Sequence, residues 1–213
     1  MSRHLCPLVG APHNALSKIA FGPMINGALT ARPNSLERER MTQGITIRYG
    51  QSSDRAALNL IYPMAFPDED LLPVLNALLD EPDGVLSLVA QDGADIIGHV
   101  VFTRGTVAGS DAALALLGPL AVIPARQKQG IGQLLVRQGL ERLTENGVAR
   151  VCVLGDPGYY GRFGFVQDTE TSPPCPIPDD WAPAWQALSL SDRSAPRGVL
   201  TLPAPWQDPA LWK

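Results

Sequence analysis

The stretch Leu120-Ala121-Val122-Ile123-Pro124-Ala125-Arg126-Gln127-Lys128-Gln129-Gly130-Ile131-Gly132 decides how this chain is read. Its opening residues are apolar and strand-like, Pro124 ends the strand, and a polar, basic loop follows. The loop runs into a segment of helical periodicity, Ile131–Asn146. There Ile131, Leu134, Leu135, Leu140 and Leu143 line one side and Asn146-Gly147 supplies a C-terminal stop. The first turn of such a helix carries unpaired N–H groups at the positive end of the helix dipole and so attracts an anion. Gly130 and Gly132 remove side chains that would obstruct a phosphate, and Arg126 and Lys128 add positive charge. The stretch thus has the physics of a pyrophosphate site. It is neither of two common nucleotide loops: no Gly-x-x-x-x-Gly-Lys-Ser/Thr occurs, and Leu135 stands where a dinucleotide fingerprint needs its last glycine.

Outward from this point the chain reads as mixed α/β. Ile45–Tyr49 alternates as a strand. Ser52, Ser53 and Asp54 offer N-caps to a helix through Ala56, Leu60 and Ile61, which Pro63 and Pro67 are expected to end. The acids Asp68, Glu69 and Asp70 fall at the start of a second helix, Leu71–Leu79. Strands are expected at Leu86–Gln91, Ile96–Thr106 and Leu114–Ile123, with Asp92-Gly93 turning the first pair. Val148–Leu154 is apolar enough to be buried on both faces, which makes Leu114–Leu154 a right-handed parallel β-α-β unit. A short helical turn at Gly158–Phe163, a strand at Phe165–Asp168 and a last strand at Gly198–Leu202 follow. Pro173, Pro174, Pro176, Pro178 and Pro183 mark an extended loop over 172–184, and the tail from Trp206 to Lys213 is expected to pack on the surface.

The loop resembles the acyl-CoA loop of the GNAT N-acetyltransferases, whose pattern Gln/Arg-x-x-Gly-x-Gly/Ala is met by Gln127, Gly130 and Gly132. A second match is independent of it. In Asp156-Pro157-Gly158-Tyr159-Tyr160-Gly161-Arg162-Phe163-Gly164-Phe165, Tyr160 stands four residues before a Gly-Phe pair, as the family's tyrosine does. The Tyr-Tyr-Gly-Arg-Phe-Gly-Phe run and the Leu-Gly-Pro-Leu-Ala-Val strand before the loop look most like the YhbS-like bacterial branch. The resemblance implies a central splayed mixed β-sheet flanked by helices, and acetyl-CoA as acyl donor. The donor would be held by the backbone of Leu120, Ala121 and Val122 and by the loop Gln127, Lys128, Gln129, Gly130, Ile131 and Gly132. Pro119 fits a bulge in the strand that holds the pantetheine arm.

The chemistry so implied is direct attack of a primary amine, from a small molecule or peptide, on the acetyl carbonyl. Tyr160 would protonate the departing thiolate; a phenol of ordinary pKa near 10 keeps its proton at neutral pH. Asp156, at the end of a parallel strand, is a candidate base and equally a helix cap. His99 is a second candidate base, acting through a water, or a hydrogen-bonded histidine near the sheet surface. No metal is required by this chemistry. The alternative is a non-catalytic acyl-CoA-binding regulatory module. Trp181 and Trp185 are expected to cover the core, and Tyr159 to be structural.

Composition sets the outer limits. Hydrophobic residues make up 45% of the 213, enough for one core. No stretch approaches the roughly 18 consecutive apolar residues of a membrane span. Cys6, Cys152 and Cys175 are too few and too widely spaced for a disulfide framework or structural zinc, and Cys152 fits a buried small hydrophobe. Residues 44–213 hold 12 basic and 19 acidic residues, a net of −7 that argues against nucleic acid as a partner. A cytoplasmic protein is expected, and a homodimer is left open. The domain is placed at 44–213. Residues 1–43 carry +3 and no sustained period, and are read as an extension, either a disordered arm or the result of a start assigned upstream of Met41.

Overall fold

Apolar residues in five adjacent strands build the centre of the molecule. The computed structural model describes residues 44–192 and 196–213, so the extension assigned to 1–43 lies outside the described residues. The first elements are strand β1 (Ile45–Tyr49), helices α1 (Arg55–Ala65) and α2 (Leu72–Leu79), and strands β2 (Val85–Asp92), β3 (Asp95–Val107) and β4 (Leu114–Val122). Helix α3 (Ile131–Glu145), strand β5 (Arg150–Leu154) and the short helix α4 (Pro157–Tyr160) follow. The chain finishes with β6 (Val166–Gln167), β7 (Thr171–Ser172), β8 (Trp185–Ser189) and β9 (Gly198–Thr201). The strands form one mixed sheet in the order β1-β2-β3-β4-β5-β8-β6, with β9 on the far end of β3. The pair β4–β5 is parallel, as the β-α-β unit requires, and the other central pairs are antiparallel.

The sheet separates two apolar layers. Leu58, Ile61, Tyr62, Leu75 and Leu78 of α1 and α2 cover one face, while Ile131, Leu135 and Val136 of α3 cover the other together with Tyr159 and Tyr160 of α4. Strand β5 serves both: Val151 and Val153 face α3, and Cys152 and Leu154 face the opposite layer.

Two sequence expectations are corrected, and one strand is added to them. Pro63 lies inside α1 and does not end it. The N–H that it lacks would have met the carbonyl of Asn59; both residues are exposed, so water can satisfy that carbonyl. The proline-rich loop is followed by a strand that the sequence reading does not include: β8 pairs antiparallel with β5 from Leu154↔Trp185 to Arg150↔Ser189. The tail is core, not surface, because Trp206 and Trp212 are each 1% exposed. Their indole N–H groups are satisfied inside, Trp206 Nε1 donating to Thr103 Oγ1 at 3.0 Å and Trp212 Nε1 to the Trp206 carbonyl at 3.0 Å. Trp185 is also buried, and stacks edge-on to Trp212 at 6.2 Å between ring centroids.

Trp206→Ala is expected to cost about 3–5 kcal/mol through the cavity that it leaves and the bond lost at Thr103. Urea unfolding followed by tryptophan fluorescence would measure it.

Candidate active site

The site begins with one extra residue in β4. Val100 pairs with Leu120 and Phe102 with Leu117, so Gly118 and Pro119 together oppose Val101 alone. This is a bulge, and it re-aims the end of the strand. The pairing of β4 with β5 stops at Leu117↔Val153. Beyond it the two strands diverge, and β5 continues with β8 as its only partner to Leu154. The Ile123 N–H bonds back to Ile97 of β3 at 3.1 Å. By strand alternation, the N–H and C=O groups of Leu120 and Val122 point the other way, into the gap.

The gap leads directly to the basic loop, which is braced from within. Gln127 Nε2 donates to the Val122 carbonyl at 3.0 Å and Gln129 Nε2 to the Ala125 carbonyl at 3.0 Å. Lys128 has φ 61° and Gly130 φ 93°, two left-handed residues that turn the chain sharply into α3. The first turn of α3 holds no acidic residue and its cap no side-chain hydrogen bond; the first helical bond is Leu134 N–H to the Gly130 carbonyl at 3.0 Å. The N–H groups of Ile131, Gly132 and Gln133 therefore lie open to an anion. One expectation is revised: Arg126 is not a free cation of this loop. It pairs with Asp92 at 2.5 Å and donates to Gln129 at 3.1 Å, tying the loop to the β2–β3 hairpin. Lys128 is exposed.

Across the gap stands α4. Asp156 caps it, its Oδ1 accepting from Gly158 N–H at 2.8 Å. Tyr160 is 1% exposed and packs against Phe165 and Phe163. Burial, with Tyr159 and Asp156 nearby, pushes its phenol well above 10, so it stands as a protonated donor. Tyr159 projects toward α3, where a Cβ at Gly132 would come within 2.6 Å of its hydroxyl. Cys152 is buried in the sheet and its thiol is pushed up to about 12, which removes it as a nucleophile at neutral pH.

His99 is placed apart from the gap. It is 0% exposed, on the α1 face of the sheet beside Ala121 of β4. Its Nδ1 is 2.8 Å from the Tyr62 hydroxyl and its Nε2 2.9 Å from Ser87 Oγ. The Tyr62 hydroxyl also lies 3.5 Å from the Pro119 carbonyl in the bulge. Burial holds the imidazole neutral, with a pKa of about 3 that Asp54 only partly offsets. With both ring nitrogens engaged, His99 is a strut beneath the bulge and not an accessible base. Sequence inspection missed its partners, since neither Tyr62 nor Ser87 stands at a motif position. Among the described residues, no group of three His, Cys, Asp or Glu side chains could hold a metal ion. Nor is any described helix long and apolar enough to cross a membrane.

A β4–β5 pair that parts before the bare first turn of a helix is the arrangement that the resemblance to the acyl-CoA acyltransferases implies. The comparisons carry this further. The Acetyltransferase (GNAT) family profile matches residues 55–165. The uncharacterized N-acetyltransferase YjhQ of Escherichia coli K12 is 35% identical over 153 residues, covering 68% of this chain and 84% of that protein. The crystal structure of the GNAT family N-acetyltransferase YhbS from Escherichia coli, in complex with CoA, superimposes with a TM-score of 0.69. It is 29% identical, over 76% of this chain and 91% of that one. A GNAT family acetyltransferase from Brucella melitensis in complex with acetyl-CoA gives a TM-score of 0.62 at 30% identity, over 76% and 97%. The chain belongs to the GNAT acetyltransferase family, and it is an acyltransferase.

The neutral His99 gives a pH prediction. Below about pH 6.5 the unfolded chain takes up a proton that the folded chain refuses until about pH 3. Stability should therefore fall as the pH drops through that window, by about 1.4 kcal/mol per pH unit from this group. Urea melts of wild type and His99→Gln across the window would show a shallower slope in the variant.

Proposed function

We propose that the protein is an acetyl-CoA-dependent N-acetyltransferase that passes an acetyl group to a primary amine of a small molecule or peptide by direct attack. One observation carries this: beyond the last β4–β5 pair the backbone of Leu120 and Val122 turns away from β3, next to the open first turn of α3.

The pyrophosphate would sit on the N–H groups at Gly130, Ile131 and Gly132, with Lys128 beside it. Gln127 and Gln129 hold the loop in shape. The pantetheine arm would run along Leu120, Ala121 and Val122 as an added strand, bonding the outward N–H and C=O of Leu120 and the N–H of Val122, whose carbonyl Gln127 holds. A backbone N–H on β4 polarises the thioester carbonyl and stabilises the oxyanion as the amine attacks. The tetrahedral intermediate then collapses, the C–S bond breaks, and Tyr160 gives its proton to the leaving thiolate. The proton lost by the amine goes to water, relayed to Asp156. That carboxylate uses Oδ1 in the cap, which leaves Oδ2 for the relay. His99 serves this scheme by supporting the bulge from behind through Tyr62.

The competing function is an acyl-CoA-binding module without catalysis. Steady-state CoA release from acetyl-CoA, screened against pooled amines, polyamines, amino acids and peptides, separates the two. Acetyl transfer by wild type with a kcat about 10²-fold lower in Tyr160→Phe is the expected result, the scale of a lost general acid. Tight acetyl-CoA binding with no transfer across the panel would favour the module. An unchanged rate in Tyr160→Phe would remove Tyr160 from the mechanism.

A further inference from the structure

The buried trio Tyr62, His99 and Ser87 does more than prop the bulge, because its hydrogen bonds have a direction. The Tyr62 hydroxyl has one proton and two contacts, His99 Nδ1 at 2.8 Å and the Pro119 carbonyl at 3.5 Å. A carbonyl can only accept. Both contacts are hydrogen bonds in one arrangement alone: Tyr62 donates to Pro119 and accepts from His99. His99 then carries its proton on Nδ1. Burial keeps the ring neutral, so Nε2 is bare and accepts from Ser87 Oγ at 2.9 Å. The donors therefore run one way, from Ser87 through His99 and Tyr62 to Pro119. Ser87 is the half-buried outer end, while His99 and Tyr62 are 0% and 1% exposed.

The inner end of this chain is half of a particular amide. The Pro119 carbonyl and the Leu120 N–H belong to one peptide unit, and in a trans peptide the two point in opposite directions. The carbonyl meets Tyr62, and the N–H points away from β3, into the gap where β4 has left β5. Among the outward donors of β4 beyond the bulge, it is the one farthest from the loop that would hold the pyrophosphate. It therefore stands at the thioester end of the arm. A hydrogen bond accepted by an amide oxygen draws density from the amide and strengthens its N–H as a donor. In a chain each bond reinforces the next, by about 10–30% per bond, and a buried chain has no water to compete with it.

We propose that Tyr62, backed by His99 and Ser87, is a positioning residue for acyl transfer: it polarises the Pro119–Leu120 peptide and so strengthens the Leu120 N–H as the donor to the thioester oxygen. This rests on the acyl-CoA function set out above. It singles out the β4 amide that stabilises the oxyanion, and it gives the trio an effect on the reaction that packing alone would not have. Nothing is transferred along the chain, and each group keeps its proton through the cycle.

Two measurements that need no amine acceptor test it. Nitrogen NMR of the free protein with labelled histidine reads the tautomer of His99, and the proton is expected on Nδ1. A proton on Nε2 would reverse the chain and overturn the proposal. The second is the infrared stretch of acetyl-CoA, isotope-labelled at the acetyl carbonyl, bound to wild type, Tyr62→Phe and Ser87→Ala, with thermal melts to check folding. Binding to wild type should lower the stretch. Tyr62→Phe should restore most of that shift and Ser87→Ala part of it, with the acetyl-CoA dissociation constant unchanged. With an amine found in the screen, Tyr62→Phe should lower kcat about tenfold at constant KM for acetyl-CoA, a fraction of the roughly 10²–10³ lost when an oxyanion donor is removed outright. Should Tyr62→Phe fail to fold, Ser87→Ala at the half-buried end still decides. An unmoved stretch in the folded variants, with or without weaker acetyl-CoA binding, leaves the trio a structural support and overturns the proposal. If wild type shows the Tyr62-dependent shift but transfers to no amine, the catalytic function fails and the polarised amide stands. Failure of wild type to bind acetyl-CoA would overturn both.

Discussion

The structure depends on a single interruption: β4 and β5 pair for four residues and then part. A parallel pair left unfinished in the middle of a sheet leaves backbone donors and acceptors without partners, a cost that folded proteins seldom accept in a buried place. Here the divergence is built in by the additional residue at Gly118-Pro119, which bends β4 while β3 continues to hold it at Val100 and His99. Neighbouring elements are arranged around the opening. The α3 helix presents its N-terminus at one end of it, and α4 closes the far side with aromatic rings.

Such a bend needs support from behind. Tyr62, His99 and Ser87 join α1, β3 and β2 through buried hydrogen bonds, and Tyr62 reaches toward the bulge carbonyl. Polar side chains in an apolar layer are tolerated only when satisfied, and each bond in this trio fixes the register of the elements it links. The loop is held in a similar way from the other side, by Gln127 on Val122 and by Arg126 on Asp92. The residue types of the loop thus divide their work. The glutamine shapes the backbone, and the glycines leave it bare.

Much of this was legible in the chain itself, for a physical reason. Strands β2 to β4 and helix α3 are long, β5 is apolar almost throughout, and their order places the loop between a strand and a helix without any tertiary information. The loop and Tyr160 could be named because their spacing is local. What escaped depends on contacts between distant segments. Trp185-Gln186-Ala187-Leu188-Ser189 does alternate, but the prolines before it suggest irregular chain. The tail gave no sign that its tryptophans would enter the core, since Trp206 bonds Thr103, far away in sequence, and Trp212 bonds Trp206 in turn. Pro63 was overrated as a breaker because its cost depends on whether the orphaned carbonyl meets water. The ion pair that occupies Arg126 and the partners of His99 were equally invisible, as both reach across the sheet.

The indole of Trp206 bonds a residue 103 positions earlier, and Trp212 packs on it and on Trp185. The face of the sheet opposite α3 is therefore sealed in part by residues that follow every strand of the sheet. During translation, the strands that flank the acyl-CoA gap can pair while the tail is still inside the ribosome, yet the layer that includes Tyr62 and Leu75 stays partly wet until residue 206 emerges. A nascent chain of this protein would thus pass through a stage in which the cofactor face is assembled and the opposite face is still sticky, the stage at which a chaperone would have most to hold.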